Sequence, residues 1–175
     1  MKKIALICFI WIFLNPMFVF SQQENNASSV NLGIGLGIDY GGLFGARLTV
    51  LPTENVALFG SFGYNLIGIG FNAGGTFRIS PTKNVCPTVG LMYGYNAVIK
   101  IVGAEEYNKT YYGPTISLGL EFRPQRKGYW NIELLLPFRS KAYKDDLDDL
   151  KNDPAIELKS EPLPVAFSVG YHFWL

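Results

Sequence analysis

Hydrophobic and polar positions alternate along this chain with a period of two, most clearly from Val30 to Tyr40, where the sequence reads VNLGIGLGIDY. Every even position of that segment is apolar or aromatic, and every odd position is Asn, Gly or Asp. Successive side chains of a β-strand point to opposite faces, so this pattern predicts a strand with one apolar and one small or polar face. The alternation recurs as far as Val165–Leu175 and predicts an all-β protein.

Turn residues divide the chain into eight candidate strands. Their spans are 30–40, 43–51, 56–65, 69–80, 85–102, 111–123, 129–140 and 163–175. Three connections begin with Pro and end with Asn or Gly, which is typical of tight turns: 52–55, 81–84 and 124–128. In an up-and-down meander these turns share one end with both termini, and the longer connections lie at the other end. We therefore predict an eight-stranded antiparallel up-and-down transmembrane β-barrel.

The period also assigns each strand residue to one of two faces. The apolar face comprises Phe44, Ala46, Leu48, Val50, Ile69, Phe71, Ala73, Phe77, Ile79, Val89, Leu91, Tyr93, Tyr95, Ile116, Leu118, Leu120, Phe122, Trp130, Ile132, Leu134, Leu136, Phe138, Phe167, Val169, Tyr171 and Phe173. The polar face comprises Arg47, Thr49, Asn72, Thr76, Arg78, Thr88, Asn96, Lys100, Thr115, Ser117, Glu121, Arg123, Asn131, Glu133, Arg139, Ser168 and His172, with Cys86 on the same side. Almost all strand charges therefore share one face.

Two barrels fit this division of faces. An outer-membrane barrel turns the apolar face to lipid and the polar face to the lumen, whereas a soluble lipocalin-like barrel does the reverse and encloses a ligand. Three observations favour lipid. Aromatic residues of the apolar face fall near strand ends, as in interfacial girdles: Tyr40, Phe44, Tyr64 and Tyr112 at one end, Phe77, Phe122, Trp130 and Phe173 at the other. The polar face combines short residues with both signs of charge, which would fill the narrow lumen of an eight-stranded barrel. The last strand is apolar, and pairing with the first strand in a closed barrel would leave it without an exposed edge.

The polar face predicts a network of ion pairs in the lumen. Glu121 and Glu133 lie on one face of a predicted hairpin, where two like charges are unfavourable neighbours. We therefore expect Arg47, Arg78 or Arg123 within salt-bridge distance of at least one of these carboxylates.

The N-terminus carries the pattern of a secretory signal peptide. Lys2 and Lys3 precede an apolar run from Ile4 to Phe20, and cleavage is expected after Ser21. The alternative is a membrane anchor of the same length. We divide the chain into a signal peptide (1–21), a polar leader (22–29) and a barrel domain (30–175). Removal of residues 1–21 from the 175-residue chain leaves 154 residues, enough for one domain.

The composition of the mature chain narrows the choice of partners. Without Lys2 and Lys3 it has 13 basic and 14 acidic residues, a balance that does not suggest nucleic-acid binding. It retains a single cysteine, Cys86, so an internal disulfide is excluded.

The last candidate strand carries a resemblance to a known family. The segment VAFSVGYHFWL, residues 165–175, resembles the C-terminal assembly signal of Gram-negative outer-membrane β-barrel proteins, with Phe167, Val169, Tyr171, Phe173 and Leu175 at the alternating positions. The architecture of the mature chain is similar to that of the small eight-stranded members. The resemblance implies insertion into the cell outer membrane, with outer-membrane lipid and the barrel assembly machinery as partners. The resemblance does not indicate which ligand the surface loops would bind.

Few residues suggest catalysis or ion binding. His172 is the only histidine, and Ser168 on the same face lies about 13 Å away along a strand, so a hydrogen bond in the lumen is expected rather than catalysis. The acidic run from Lys144 to Asp153 offers carboxylates to Ca²⁺, but it lacks the spacing of a calcium loop. A solvated loop with one helical turn through Leu147 and Leu150 is expected there. Cys86 is expected to be a buried thiol.

These observations leave several functions open. The favoured one is a non-enzymatic outer-membrane barrel without cofactor or metal, whose surface loops bind a ligand or support the envelope. A narrow pore or transport barrel would need room among the predicted lumen charges. A lipid-modifying enzyme would need a nucleophile beside His172. A soluble ligand-binding barrel is the fourth possibility.

Overall fold

The computed structural model of the chain describes residues 30–101, 108–125, 127–152 and 163–175. The predicted signal peptide and polar leader lie outside these residues. Within them, eight strands form one closed antiparallel barrel in which each strand pairs with its neighbours in sequence and β8 pairs with β1. The strands are β1 (Val30–Gly37), β2 (Gly42–Val50), β3 (Val56–Tyr64), β4 (Ile69–Arg78), β5 (Val85–Ile99), β6 (Lys109–Gln125), β7 (Gly128–Pro137) and β8 (Ala166–Trp174). The predicted all-β, up-and-down architecture is confirmed.

The two faces of the pleat have opposite chemistry. Large apolar side chains on every strand point outward and are exposed, with Ile34, Phe62, Leu91 and Phe167 between 55% and 70% accessible. Nearly all residues of the predicted polar face, Arg47 among them, point into the lumen and are buried. None of the helical segments in the described part of the chain is both long and apolar enough to cross a membrane.

The first strand is shorter than predicted. β1 ends at Gly37, and residues Ile38–Tyr40 form a 3-10 turn that is closed by Gly41, whose φ of 82° suits glycine. Because a 3-10 turn does not keep the period of two, Asp39 and Tyr40 both enter the lumen and are fully buried. The placement of Tyr40 in an outer aromatic girdle is therefore wrong.

The fifth strand departs from strict alternation near its end. The register with β6 shifts between Tyr95 and Ala97, so Tyr95 and Asn96 are both buried. A bulge adds one residue and reverses the faces beyond it, so the outward assignment of Tyr95 is wrong. Lys100, predicted to face the lumen, follows the end of β5 and is exposed.

One end of the barrel carries an extension. β5 pairs with β4 as far as Gly94, but it pairs with β6 up to the Ile99–Lys109 pair. A helix, α1 (Lys141–Asn152), packs against this extension through Tyr143. With 12 residues, α1 makes about three helical turns, where the sequence predicts a solvated loop with one turn. Arg139, predicted to face the lumen, lies beyond the end of β7 with its guanidinium 5.5 Å from the centre of the Tyr143 ring.

Candidate functional site

The first of two ion-pair clusters in the lumen is centred on Arg47 of β2. Its Nη1 lies 3.0 Å from Asp39 Oδ2 and 3.1 Å from Glu133 Oε1, and its Nη2 donates to Thr76 Oγ1 at 3.2 Å. The guanidinium also stacks 3.6 Å from the ring centre of Phe59. One buried cation thus bridges two carboxylates from different parts of the barrel.

A second cluster lies toward the short turns, around Glu121 of β6. Its Oε2 accepts from Arg78 Nε at 3.1 Å and from Arg123 Nη2 at 2.7 Å. Arg78 also donates to the backbone carbonyl of Glu54, which ties the cluster to the turn between β2 and β3. Together the two clusters contain three arginines and three carboxylates, so their formal charges balance.

The structure brings all five residues of the predicted network into these two clusters. Arg47 pairs with Glu133, and both Arg78 and Arg123 pair with Glu121. Asp39, which completes the first cluster, is missing from the predicted set. Its odd position in the Val30–Tyr40 pattern, shared with Asn31 and the glycines, was the signal that could have identified it.

His172 is fully buried and both of its ring nitrogens have partners. Nδ1 lies 2.7 Å from Asn31 Oδ1, and Nε2 lies 2.7 Å from the hydroxyl oxygen of Tyr40. Because an amide oxygen only accepts, this geometry places the proton on Nδ1 and lets Tyr40 donate to Nε2. The ring also stacks on Tyr129 at 4.6 Å and 9°. The imidazole therefore has no free nitrogen with which to accept a proton from a nucleophile.

An apolar cluster occupies the lumen on the side of the longer connections. Phe59, Met92 and Leu135 are buried there, with Ile38 and Ala166 packed against them. Ionic clusters and apolar side chains thus share the interior, as expected for eight strands, whose interior is just wide enough to be filled by side chains.

The helix and the strand extension form the second distinctive surface. Tyr143, Leu147 and Leu150 of α1 pack on Ala97, Ile99 and Tyr111. Asp146 pairs with Lys109 and accepts from the Tyr111 hydroxyl at 2.5 Å. Hydrogen bonds from Lys109 and then Tyr111 lower the pKa of Asp146 below its usual value.

The remaining candidates are placed as follows. Cys86 is a fully buried thiol on the lumen side. In β8 and the residue after it, Phe167, Val169, Phe173 and Leu175 are exposed, and Tyr171 is half-buried. Across residues 30–101, 108–125, 127–152 and 163–175, no three His, Cys, Asp or Glu side chains converge as metal ligands. Asp153, the end of the acidic run, lies outside these ranges.

Comparison of the chain with protein-family models, with curated proteins and with solved structures finds no match.

Proposed function

We propose that this protein is a non-enzymatic, membrane-spanning β-barrel of a Gram-negative outer membrane. Its barrel acts as a rigid scaffold for the surface formed by α1 and the β5–β6 extension. The observation that carries the proposal is the band of exposed apolar side chains around all eight strands, combined with a lumen filled by ion pairs. Soluble monomers rarely expose apolar patches larger than a few hundred Å², and such patches mark membrane or protein contacts.

The aromatic residues support the same proposal. Phe44, Tyr64 and Tyr112 are exposed near the end with the longer connections. Phe77, Trp130 and Phe173 are exposed near the end with the short turns. Two belts of this kind are typical of barrel proteins, where amphipathic rings lie at the two membrane interfaces.

The lumen favours a scaffold over an open pore. Arg47 with its two carboxylates and Arg78 with Glu121 occupy the interior, together with the apolar cluster around Leu135. A lipocalin-like carrier needs an apolar cavity in this place, whereas the band of apolar residues here is on the outside. The occupied nitrogens of His172 support a role other than catalysis.

The predicted signal peptide and the resemblance of β8 to an assembly signal support the proposed location. The test is expression of the full chain in a Gram-negative host, followed by separation of inner and outer membranes. Unboiled and boiled samples are then compared on a gel. We expect an outer-membrane band that resists detergent when unboiled and changes mobility on boiling. Recovery in the soluble periplasmic fraction would contradict the proposal.

A further inference from the structure

The connection between β1 and β2, residues 38–41, folds into the lumen rather than away from the barrel. Asp39 and Tyr40 are fully buried. The carbonyl oxygen of Ile38 accepts from the backbone N–H of Gly41 at 2.8 Å and from Asn72 Nδ2 of β4 at 2.6 Å. The turn is therefore closed on itself and tied to a strand that is not adjacent to it.

The strands around this connection carry glycine at the positions that face it. A Cβ built on Gly35 would lie 2.6 Å from the ring of Tyr40, and a Cβ on Gly170 would overlap its hydroxyl group. Likewise, Cβ atoms on Gly45 and Gly63 would overlap the carbonyl oxygen of Tyr40. Four strands thus use glycine at inward positions, and the turn occupies the space left free.

Three side chains of the connection are held by different groups. Asp39 pairs with Arg47, and Tyr40 donates to His172 on β8. Ile38 packs against the apolar cluster of Phe59, Met92 and Leu135. An ion pair, a hydrogen bond and an apolar contact therefore fix the turn in one position.

The connection between β3 and β4 provides a comparison at the same end. It also has four residues, 65–68, between the paired Tyr64 and Ile69. Leu66 at its tip is exposed, whereas Asn65 is fully buried, donates to Thr110 Oγ1 and accepts from the backbone N–H groups of Ile67 and Gly68. A connection of this length can thus close with Leu66 at its tip outside the lumen.

We propose that the β1–β2 connection is a built-in plug that seals the lumen at the end of the longer connections. The inference rests on the proposed function in that it places the barrel in a membrane. The position of the β1–β2 connection inside the lumen does not depend on that proposal. The plug would deny water and small ions access to the Arg47 cluster. Without it, the glycine-lined space would open to the solvent.

The test uses a thiol inside the lumen. Ser61 lies two residues before Gly63 on the same face of β3 and is 6% exposed. Ser61→Cys is made with Cys86→Ser, which removes the native thiol, and is labelled in lipid vesicles with a small charged methanethiosulfonate. In one variant an Asn-Gly turn replaces residues 38–41, and in the matched control it replaces residues 65–68. We expect slow labelling of the full chain and of the control, and labelling roughly tenfold faster or more without the plug.

Equal rates in the full chain and the plug variant would overturn the proposal, as would acceleration by the control replacement alone. If the plug variant does not fold, Asp39→Cys in the otherwise complete chain decides. With Cys86→Ser in both variants, we expect it to react far more slowly than Lys100→Cys, which is exposed at the same end of the barrel, and equal rates would overturn the proposal. A failure of the membrane proposal is distinguishable, because the chain would then not enter vesicles, while the same labelling comparison can be made in detergent or buffer.

Discussion

Arg47 of β2 and Glu133 of β7 meet inside the barrel, with Nη1 3.1 Å from Oε1. They are separated by 86 positions in sequence and belong to strands that are not neighbours. Asp39 approaches the same nitrogen at 3.0 Å. The contact links two walls and the plug through one guanidinium, and it accounts for how the charged side chains are accommodated in the interior.

Arg47→Leu should destabilise the barrel by about 3 to 5 kcal/mol, because it leaves two buried carboxylates without their cation. Urea unfolding in detergent micelles measures the change. Arg47→Lys is the matched control, since it keeps the charge but loses the second nitrogen, which donates to Thr76, and a smaller loss is expected. Equal stability of Arg47→Leu and the original chain would show that the ion pairs do not hold the interior.

Arginine substitutions at two neighbouring residues of β6 should distinguish the lipid-facing side of the barrel from the lumen side. Leu118 is 49% exposed on the outer face, whereas Ser117 is 5% exposed in the lumen. Leu118→Arg should cost about 2 to 4 kcal/mol in a bilayer, because it places a charge in lipid. The same change should cost much less for a barrel dissolved in water. Ser117→Arg should destabilise the barrel in both settings by crowding the lumen, so its penalty should not depend on lipid.

The alternation of apolar and polar residues predicted the strands and their faces because a half-exposed strand places chemistry on a period of two. It failed at Tyr40 and again at Tyr95, which it places on the outer face although both are buried. In each place the backbone leaves the regular pleat, through a 3-10 turn or a bulge. Such local changes depend on tertiary space, here the glycine-lined wall, which the pattern of one strand does not reveal.

The helix was underpredicted for a different reason. Only Leu147 and Leu150 were used as apolar positions, although Tyr143 lies four residues before Leu147 and completes the buried stripe. Its partner surface on Ala97 and Ile99 exists only because β5 and β6 extend beyond their neighbours. For the lumen, the sequence predicts only which charged residues share the inward face. It does not predict which carboxylates pair with Arg47, so these partners required the structure.

The docking of α1 should depend on pH through Asp146. Its pKa is lowered by the hydrogen bonds from Lys109 and Tyr111, so the ionised form stabilises the docked helix. This contribution is present above the ordinary pKa of 3.8 and is lost as pH falls through the lower pKa of the folded protein. The protection factors of the α1 amides, which correct for the slower intrinsic exchange in acid, should therefore fall below about pH 4. Asp146→Asn should remove this dependence, and an unchanged pH profile in that variant would contradict the assignment.

Deletion of residues 141–161, closed by an Asn-Gly turn, should leave a barrel that still inserts and resists detergent, because all eight described strands remain. The extension should respond differently. Loss of Tyr143 uncovers Ala97, Ile99 and Tyr111, so faster hydrogen exchange is expected at residues 95–99 and 109–113. No change is expected in the strand residues near the short turns. Whole-cell ligand binding should also be lost if the surface around α1 carries the function. Loss of heat-modifiable mobility would show that the helix is needed for the barrel itself.

The orientation of the apolar face is tested most directly by one labelling measurement. Leu118→Cys, with Cys86→Ser, is reconstituted in lipid bilayers and exposed to a charged, water-soluble thiol reagent, with Lys83→Cys in an exposed turn as the reference for full access. The account predicts that Leu118→Cys is protected while Lys83→Cys reacts, and that a lipid-soluble maleimide labels Leu118→Cys readily. Labelling of Leu118→Cys from water at the rate of Lys83→Cys, in folded and inserted protein, would contradict a lipid-facing exterior.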